Sequence, residues 1–364
     1  MPDTGLEEPT RQPAPAAPRP RWWHRWPDWS GYLAVAWSFL YGLAGLYWAW
    51  GGGGYPFAGT VTERSSESLL EPSGASVVAP WIAAFGAVGV VAGVLMVRGR
   101  TGRFRGALLA FGWTAGAALT LLIPDYSLLG LLVFAPLLVV FAFTGVPGGQ
   151  QFGDIVYWHR INLIIVFAGG LLWLATTLAY QRRTGGACVR CGRGPRAVAG
   201  GTDRAAALRW GRRAVWVAVA TTLPYDITRI AWYFGWPLGI TDAFLKDMRD
   251  TPYLLEIGLS LGVVSTLGSL LTHGLVARWG EVWPRWVWFK HGRPVHPATA
   301  IVPAAVVALL LVPAGLMAAR DYDTAMWGTL GPAILWVLWG AALGAATYCY
   351  YLRRRGQCTC CGRD

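Results

Sequence analysis

The chain of 364 residues is 54% hydrophobic and only 14% charged, and it carries a formal net charge of +12. Such a composition excludes a soluble domain of the ordinary kind and indicates a membrane protein. Excess positive charge can also mark nucleic-acid binding, but here the arginines lie beside apolar runs, where membrane orientation explains them. We therefore expect the lipid bilayer to be the main partner, and we expect no nucleic acid.

Residues 1–29 precede the apolar runs and mix acidic residues, arginines and prolines. This mixture predicts a disordered tail and differs from a cleavable secretory signal. Its last part, RPRWWHRWPDW, interleaves arginine with tryptophan. Such a segment either lies against anionic headgroups or simply anchors the first membrane helix, and the sequence leaves both alternatives open.

Nine apolar runs follow, each near the length of about 20 residues that a helix needs to cross the hydrocarbon core. Helices are favoured because hydrocarbon offers no hydrogen-bond partner to exposed backbone groups. The sequence thus predicts an all-α, polytopic transmembrane helix bundle. The runs are residues 30–50, 77–97, 106–122, 128–146, 161–180, 214–237, 253–275, 298–319 and 324–351.

Lysine and arginine are distributed unevenly, with 25 of them in five basic segments and five in all other loops. Because basic loops mark the cytoplasmic side, an even number of crossings should separate every pair of basic segments. Three apolar runs lie between residues 105 and 181, so we predict eight crossings, cytoplasmic N- and C-termini and one re-entrant or interfacial apolar segment. Nine crossings, the alternative, would violate the charge rule. The basic segments are residues 1–29, 98–105, 181–213, 276–297 and 352–364.

Two stretches of the chain carry nearly the same sequence. QRRTGGACVRCGR ends at residue 193, and LRRRGQCTCCGR ends at residue 363. Earlier in the chain, Tyr41 and Trp48 pair with Tyr225 and Trp232 at an offset of 184 residues. Such self-similarity predicts an internal duplication of a four-crossing unit in one orientation. The first copy holds one additional apolar segment, either residues 128–146 or residues 161–180.

These features divide the chain into five parts, each with its own composition. The two membrane units each end in a basic cytoplasmic segment that carries one CxxC pair. The predicted parts are the tail 1–29, the first membrane unit 30–180, the basic loop 181–213, the second membrane unit 214–351 and the C-terminal tail 352–364.

Four of the six cysteines form the two CxxC pairs, and a glycine follows each pair. Cytoplasmic thiols stay reduced, and two such turns are typical of a zinc site with four thiolates. We predict that Cys188, Cys191, Cys358 and Cys361 bind a structural zinc ion that joins the two halves. The open alternatives are a dithiol redox pair, disulfides if the loops lie outside, and Cys360 in place of Cys361.

The sixth apolar run contains LPYDITRIAW, which places a proline and two charged residues inside a membrane segment. Ionisable groups there are costly and mark functional candidates. Proline is expected to kink the helix, and Asp226 and Arg229 have the spacing of an ion pair on one helix face. Tyr225 and Glu256 complete a predicted intramembrane polar site. This site serves either as a structural bridge between helices or as a substrate or proton pathway.

Three segments, LPYDITRIAWYFGWPLGI, PDYSLLGLLVFAPL and GDIVYWHRINLIIVFAGGLLW, resemble multi-pass integral membrane proteins of high-GC actinobacteria that are themselves uncharacterised. The resemblance implies a bacterial plasma membrane, and it implies no activity, catalytic residue or substrate.

Two function classes remain open at this point. The first is a transporter-like protein, or a signalling or scaffolding protein that docks a cytoplasmic partner through its cysteine module. The second is a membrane-embedded enzyme that acts on a lipid or a lipid-linked substrate, with Asp226, Arg229 and Glu256 as its charged centre.

Overall fold

The computed structural model describes residues 22–57, 70, 73–144, 157–194, 204–285 and 287–363. Most of the tail that we predict to be disordered lies outside the described residues, as does the centre of the basic loop at 195–203. The described residues form helices and contain no strand; one isolated antiparallel bridge joins Val282 to Pro294. The all-α prediction is therefore confirmed.

The described part of the chain contains eleven α-helices. A π-helical turn, Ala118–Leu122, extends the third helix, and two short 3-10 helices occupy Trp22–Arg25 and Arg278–Gly280. In chain order the helices are α1 (Trp26–Ala49), α2 (Ala75–Val97), α3 (Arg105–Ala117), α4 (Tyr126–Thr144), α5 (Trp158–Thr184), α6 (Arg204–Tyr233), α7 (Asp242–Asp250), α8 (Leu254–His273), α9 (Pro297–Arg320), α10 (Trp327–Ile334) and α11 (Trp336–Arg354).

Seven helical segments in the described part of the chain are long and apolar enough to cross a membrane. They are α1, α2, α3 with its π-helical turn, α5, α8, α9 and the pair α10–α11. Helix α6 has 30 residues, which is ample length for a crossing, but it contains Asp226 and Arg229. Long apolar helices of this kind suit a bilayer, so the prediction of a multi-pass membrane protein agrees with the structure.

The helices of the first half form one packed group. Helix α1 packs against α2 and α5, and α5 packs against α3. Trp173 and Tyr180 of α5 are fully buried in this group, together with Met96 of α2. The hydroxyl of Tyr180 donates a hydrogen bond to the carbonyl oxygen of Arg100, which ties the end of α5 to the loop between α2 and α3.

The helices of the second half pack in the same order. Helix α6 packs against α8 and α11, and α11 packs against α9. Val215, Leu311 and Tyr350 are buried in the core of this group. Helix α4 and the π-helical turn both pack against α9, so they connect the two groups.

Several basic segments meet at one end of the bundle, which we call the basic end. The guanidinium of Arg105, at the start of α3, donates to Thr184 at the end of α5 over 2.9 Å. In the second half, Arg353 donates to the carbonyl oxygen of Leu275 over 2.7 Å, and Arg354 donates to that of Val295 over 2.8 Å. Both cysteine turns follow helices that finish at this end.

The opposite end of the bundle contains the start of α5. His159, in the first turn of α5, contacts Asp125, which follows the π-helical turn, and also Pro56, which follows α1. Helix α5 therefore begins at the end where α1 and α3 finish. Helix α4 begins there as well, and the chain has returned to the same end when α5 starts.

Pro224, where the sequence predicts a kink, lies inside α6, which is helical from Arg204 to Tyr233. The interruption in the second half lies at Leu335, between α10 and α11. A proline removes one backbone hydrogen bond, and the rest of a long, well-packed helix can continue past that loss.

Candidate functional site

The two cysteine turns have the same backbone conformation. In the first turn, the N–H of Cys188 donates to the carbonyl oxygen of Arg193 over 2.9 Å, and the N–H of Gly192 donates to that of Cys188 over 2.7 Å. The corresponding bonds of the second turn, which lies 170 residues later, measure 3.0 and 2.8 Å. Near-identical sequence thus produces near-identical local structure.

The glycine after each CxxC pair is required by the backbone. Gly192 has φ of +75° and Gly362 has φ of +67°. Residues with a side chain are strained in this left-handed region, whereas glycine adopts it freely. The positive φ reverses the chain after the second cysteine, so that both thiols of a pair point to one side.

The four cysteine sulfurs that the sequence singled out meet at the basic end. The Sγ atoms of Cys188, Cys191, Cys358 and Cys361 all lie within 4.8 Å of one another. Across the two turns, the sulfur distances are 3.9 Å for Cys188 and Cys358 and 3.6 Å for Cys191 and Cys361. A tetrahedron with metal–sulfur bonds of about 2.3 Å has edges of about 3.8 Å, so the four sulfurs are spaced to hold a metal ion.

This geometry bears on two of the alternatives. All six cysteines are free thiols, and the distances between the two turns far exceed a disulfide bond of about 2.05 Å. Cys361 belongs to the cluster, whereas Cys360 is exposed and lies outside the group of four. Cys349, within α11, also lies outside it.

Arginines join the two turns through reciprocal hydrogen bonds. Arg193 donates to the carbonyl oxygen of Arg363 over 2.8 Å, and Arg363 donates to that of Arg193 over 3.2 Å. Arg193 is only 7% exposed and also donates to the carbonyl oxygen of Gly356. The two turns are therefore related by a local twofold arrangement, which holds them together independently of the sulfurs.

The first turn is also fixed to the helix that precedes it. Arg182, in the last turn of α5, donates to the carbonyl oxygens of Val189 and Arg190 over 2.9 and 3.0 Å. Its guanidinium lies beside Gly192, where a Cβ atom would approach the guanidinium to 3.1 Å. A rigid helix end thus positions the cysteine turn.

The two thiols of the first turn differ in acidity. Burial opposes ionisation of Cys188, but hydrogen bonds to its sulfur, including those from the amide groups of Cys191 and Arg190, lower its pKa to about 6. Cys358 has the same opposing effects, and its pKa is also lowered. Burial and hydrogen bonding with the other thiols raise the pKa of Cys191 to about 12. Proton binding therefore competes with full ionisation, and a divalent cation would stabilise all four thiolates together.

Arg229 does not form the predicted ion pair. Among the residues that the structure describes, no ion pair joins Arg229 to Asp226 or to Glu256. The guanidinium instead donates to the carbonyl oxygens of Gly328 and Thr329, in the first turn of α10, over 3.1 and 3.0 Å. These carbonyl oxygens bind the positive charge of Arg229 because the start of α10 lies within reach of its long side chain.

The ring of Tyr225 covers the same guanidinium. The Cζ atom of Arg229 lies 4.4 Å from the ring centroid of Tyr225 and 4.2 Å from that of Trp232. Cation–π contacts of this kind stabilise a cation that has little water around it. Tyr225 and Arg229 are thus brought together as predicted, in a packing role. Glu256 lies in the first turn of α8 and is exposed, so it is not part of this group.

Asp226 points into the interface between α6 and α8. It is 6% exposed, and its Oδ2 atom accepts a hydrogen bond from Thr266 over 3.1 Å. Its Oδ1 atom has no hydrogen-bond partner in the described part of the chain. One turn earlier, the hydroxyls of Thr222 and Ser269 bond to each other over 2.9 Å. The structure therefore separates Asp226 from Arg229 and places it in a polar interface of hydroxyl groups.

Sequence reasoning missed a buried polar group at the end opposite the cysteines. Asp125, which follows the π-helical turn, is 3% exposed and faces Nε2 of His159 over 3.1 Å. Nδ1 of His159 lies 2.8 Å from the carbonyl oxygen of Pro56, and the N–H and hydroxyl of Ser127 donate to Asp125. Two ring nitrogens that both face oxygen atoms require an imidazolium or a shared proton.

This group is a structural clamp rather than a nucleophile. Burial opposes ionisation of Asp125, but the bonds from His159 and Ser127 lower its pKa. The serine hydroxyl bonds to the carboxylate and not to the imidazole, which is the wrong order for activating a serine. The one signal in the sequence was a histidine and an aspartate flanking the surplus apolar segment.

The cluster of four cysteines is the group in the described residues whose chemistry is most specific. Four thiols converge from two turns with matching backbones, and no other set of at least three histidine, cysteine or acidic side chains in the described ranges does so. No protein-family model, no curated protein and no solved structure matches this chain.

Proposed function

We propose that this is a bacterial plasma-membrane protein in which a structural zinc ion, bound by Cys188, Cys191, Cys358 and Cys361, clasps two membrane units at the cytoplasmic face. The observation that carries the proposal is the convergence of the four sulfurs within 4.8 Å of one another. Four cysteines on two glycine-ended turns form the donor set that zinc prefers in structural sites.

Zinc with four thiolates would act as a structural centre. Such a shell is closed and leaves no position for water or substrate. The free energy of zinc binding would stabilise the folded arrangement in which α5 and α11 finish side by side. The clasp would also present one rigid surface at the basic end, to which a cytoplasmic partner protein could dock.

The proposed topology has eight crossings, with α4 as the additional segment that does not complete a crossing. The support is the contact of His159 with Asp125. Because α4 starts just after Asp125 and His159 lies in the first turn of α5, the chain leaves and returns at the same end of the bundle. All basic segments then face the cytoplasm, as the distribution of arginine and lysine favours. A reporter that fluoresces only in the cytoplasm, fused after residue 363, should be bright; a dark fusion of intact protein would favour nine crossings.

We infer that the chain contains an internal duplication, in which α1, α2, α3 and α5 correspond to α6, α8, α9 and α11. The support is the common packing order of the two groups and the matching cysteine turns. Helix α4 has no counterpart in this correspondence. A parallel repeat of this kind occurs in transporters and in other membrane proteins, so it describes architecture and not activity.

Metal analysis tests the zinc proposal. Wild-type protein purified without chelators should contain stoichiometric zinc, and Cys188→Ser and Cys358→Ser should each abolish it. Cys360→Ser and Cys349→Ser are matched controls, because both lie outside the cluster, and they should retain zinc. Wild-type protein without zinc, with a reversible disulfide within one CxxC pair, would contradict the proposal and favour the dithiol interpretation.

A second candidate function is transport coupled to a proton or a small cation. The observation that favours it is Asp226, a buried carboxyl without a cationic partner among the described residues, at an interface lined by hydroxyls. A carboxylate in such a place is costly unless it binds a proton or a cation. In proteoliposomes, potential-driven proton or sodium flux should be lost in Asp226→Asn and retained in Asp250→Asn, an exposed control. Equal flux in both variants would remove this candidate.

The alternative of a membrane-embedded enzyme has less support. Its proposed charged centre needed Asp226, Arg229 and Glu256 in one place. Arg229 binds backbone carbonyl oxygens, Asp226 bonds to Thr266, and Glu256 is exposed. We therefore propose no catalytic role for these three residues.

A further inference from the structure

A large apolar cavity lies at the basic end of the second half, away from Asp226 and from the metal cluster. Its volume is about 400 Å³. The last turns of α8, the first half of α9, the middle of α11 and the segment that joins α8 to α9 line it. Trp279, Trp283, Ala304, Val307 and Trp339 are among the lining residues. This volume suits a hydrocarbon chain and exceeds what a few water molecules would occupy.

One wall of the cavity belongs to an exposed leucine surface of α8. Leu271, on its wall, is 66% exposed, and its neighbours Leu267 and Leu270 are 52% and 60% exposed. An exposed leucine surface on a membrane helix faces lipid tails. A lipid chain could therefore enter the cavity sideways without crossing a polar barrier.

A short hairpin forms the mouth of the cavity. The N–H of Trp283 donates to the carbonyl oxygen of Arg293 over 3.0 Å, and the N–H of Gly292 donates to that of Trp283 over 3.1 Å. The hairpin places Lys290 beside the cavity wall, with its Nζ atom 5.2 Å from the ring centroid of Trp283. The exposed rings of Trp288 and Phe289 follow, as in segments that lie at the membrane interface.

The mouth is strongly positive. Segment 276–297 contains Arg278, Arg285, Lys290 and Arg293, and its one carboxylate is Glu281. That carboxylate is already engaged, because Arg353 donates to it over 2.8 Å. The four cationic side chains of this segment therefore have no other carboxylate in the segment to pair with, and they can bind an anionic group at the level of the lipid headgroups.

Trp339 contributes to the apolar wall of the cavity. It is 8% exposed, and its ring lies against Gly268, which is another lining residue. A tryptophan ring offers a large apolar contact surface to a bound hydrocarbon chain.

We propose that this cavity binds an anionic phospholipid, with an acyl chain between α8, α9 and α11 and the phosphate held by Lys290 and Arg293. The apolar wall contacts the acyl chain, and the cationic hairpin binds the phosphate of the headgroup. Arg353 and Arg354 fix the edges of the cavity through Leu275 and Val295. The site does not require zinc.

Native mass spectrometry of the purified full-length protein tests the headgroup. Palmitoyl-oleoyl phosphatidylglycerol should bind about tenfold or more tightly than the phosphatidylcholine with the same chains. The double variant Lys290→Gln and Arg293→Gln should lose that preference, whereas Lys246→Gln and Arg249→Gln, on exposed α7, should keep it. Equal binding of both lipids by the wild type would overturn the proposal.

A cavity-filling variant tests the chain site. Ala304→Phe should weaken phosphatidylglycerol binding about tenfold, because the ring occupies the space of the acyl chain. Val302→Phe is the matched control on the same helix, since Val302 is 57% exposed and lies outside the lining. Binding that survives both Ala304→Phe and the charge change would overturn the proposal. The zinc content of the same samples should also be measured, because it distinguishes a loss of lipid binding from a loss of the proposed zinc site.

Discussion

The interface between α1 and α2 and the interface between α6 and α8 join corresponding helices by opposite means. Tyr41 and Trp48 of α1 align with Tyr225 and Trp232 of α6 at a spacing of 184 residues. At the same spacing, glycines at 42 and 45 stand where α6 has an aspartate and an arginine. One interface thus has no side chain at the two positions where the other has charges.

Backbone contact dominates the interface between α1 and α2. A Cβ atom on Gly42 would lie 3.1 Å from the Cα of Gly86, and one on Gly45 would lie 2.7 Å from the backbone nitrogen of Ala83. Small residues let two helices approach closely, and the resulting van der Waals contact drives association in lipid. No charged side chain lies at these two positions of α1.

Glycine has a different use at the interface between α6 and α8. Cβ atoms on Gly258 and Gly262 would meet the Arg229 side chain at 3.9 and 3.4 Å. The glycines of α8 therefore make room for a side chain rather than for a backbone. The repeated helix packing therefore does not repeat the chemistry, because α6 has an aspartate and an arginine at the positions where α1 has glycines.

We expect the largest loss of stability from adding a side chain at the interface between α1 and α2. A Cβ at Gly86 would overlap the backbone of Gly42, which cannot rotate away. We expect Gly86→Leu to separate α1 from α2 and to cost about 3 kcal/mol or more. Thermal unfolding followed by size-exclusion chromatography in detergent measures it. Gly106→Leu, at a helical glycine with open space around it, should change little; equal losses would contradict the packing account.

We expect an intermediate loss of stability when Arg229 is replaced. Arg229→Leu removes two hydrogen bonds from a charged group and leaves the carbonyl oxygens of Gly328 and Thr329 without that donor. The expected cost is about 2–3 kcal/mol in the same unfolding measurement. Arg229→Lys should recover part of it, because lysine retains the charge but lacks the fork of donors. Lys246→Leu, at an exposed position, should stay near wild type.

The smallest effect on stability is expected from Asp226→Asn. The amide oxygen can still accept the bond from Thr266, and no ion pair with Arg229 is lost. We expect a change in stability of less than about 1 kcal/mol. A loss as large as that of Arg229→Leu would mean that the two residues act as one structural bridge. A small loss together with altered ion flux would sharpen the distinction between the two interfaces.

The cysteine site was predictable residue by residue, but its closing contacts were not. CxxCG predicts a tight turn from local chemistry, and an even number of apolar runs between the pairs predicts one shared side. The sequence left Cys360 and Cys361 as alternatives. The two turns decide the matter, since residue 361 is the one equivalent to Cys191 and only its sulfur joins the cluster.

The predicted ion pair between Asp226 and Arg229 is absent from the structure. The i, i+3 spacing predicts that Asp226 and Arg229 share a helix face, but α10 and α8 offer each a different partner. A helix spacing describes what is adjacent on one element and says nothing about what the neighbouring elements bring. The same reason explains why the pairing of Asp125 with His159, 34 residues apart, gave no signal.

The sequence by itself determined the helical membrane class, the basic segments and the two cysteine turns. Each of these depends on short-range physics: the length of an apolar run, the charge of a loop, the backbone freedom of a glycine. Only the tertiary structure decided the partners of Arg229 and Asp226, the place of α4 and the cavity at the basic end. These depend on which distant helices meet, and apolar runs of similar length carry almost no information about their neighbours.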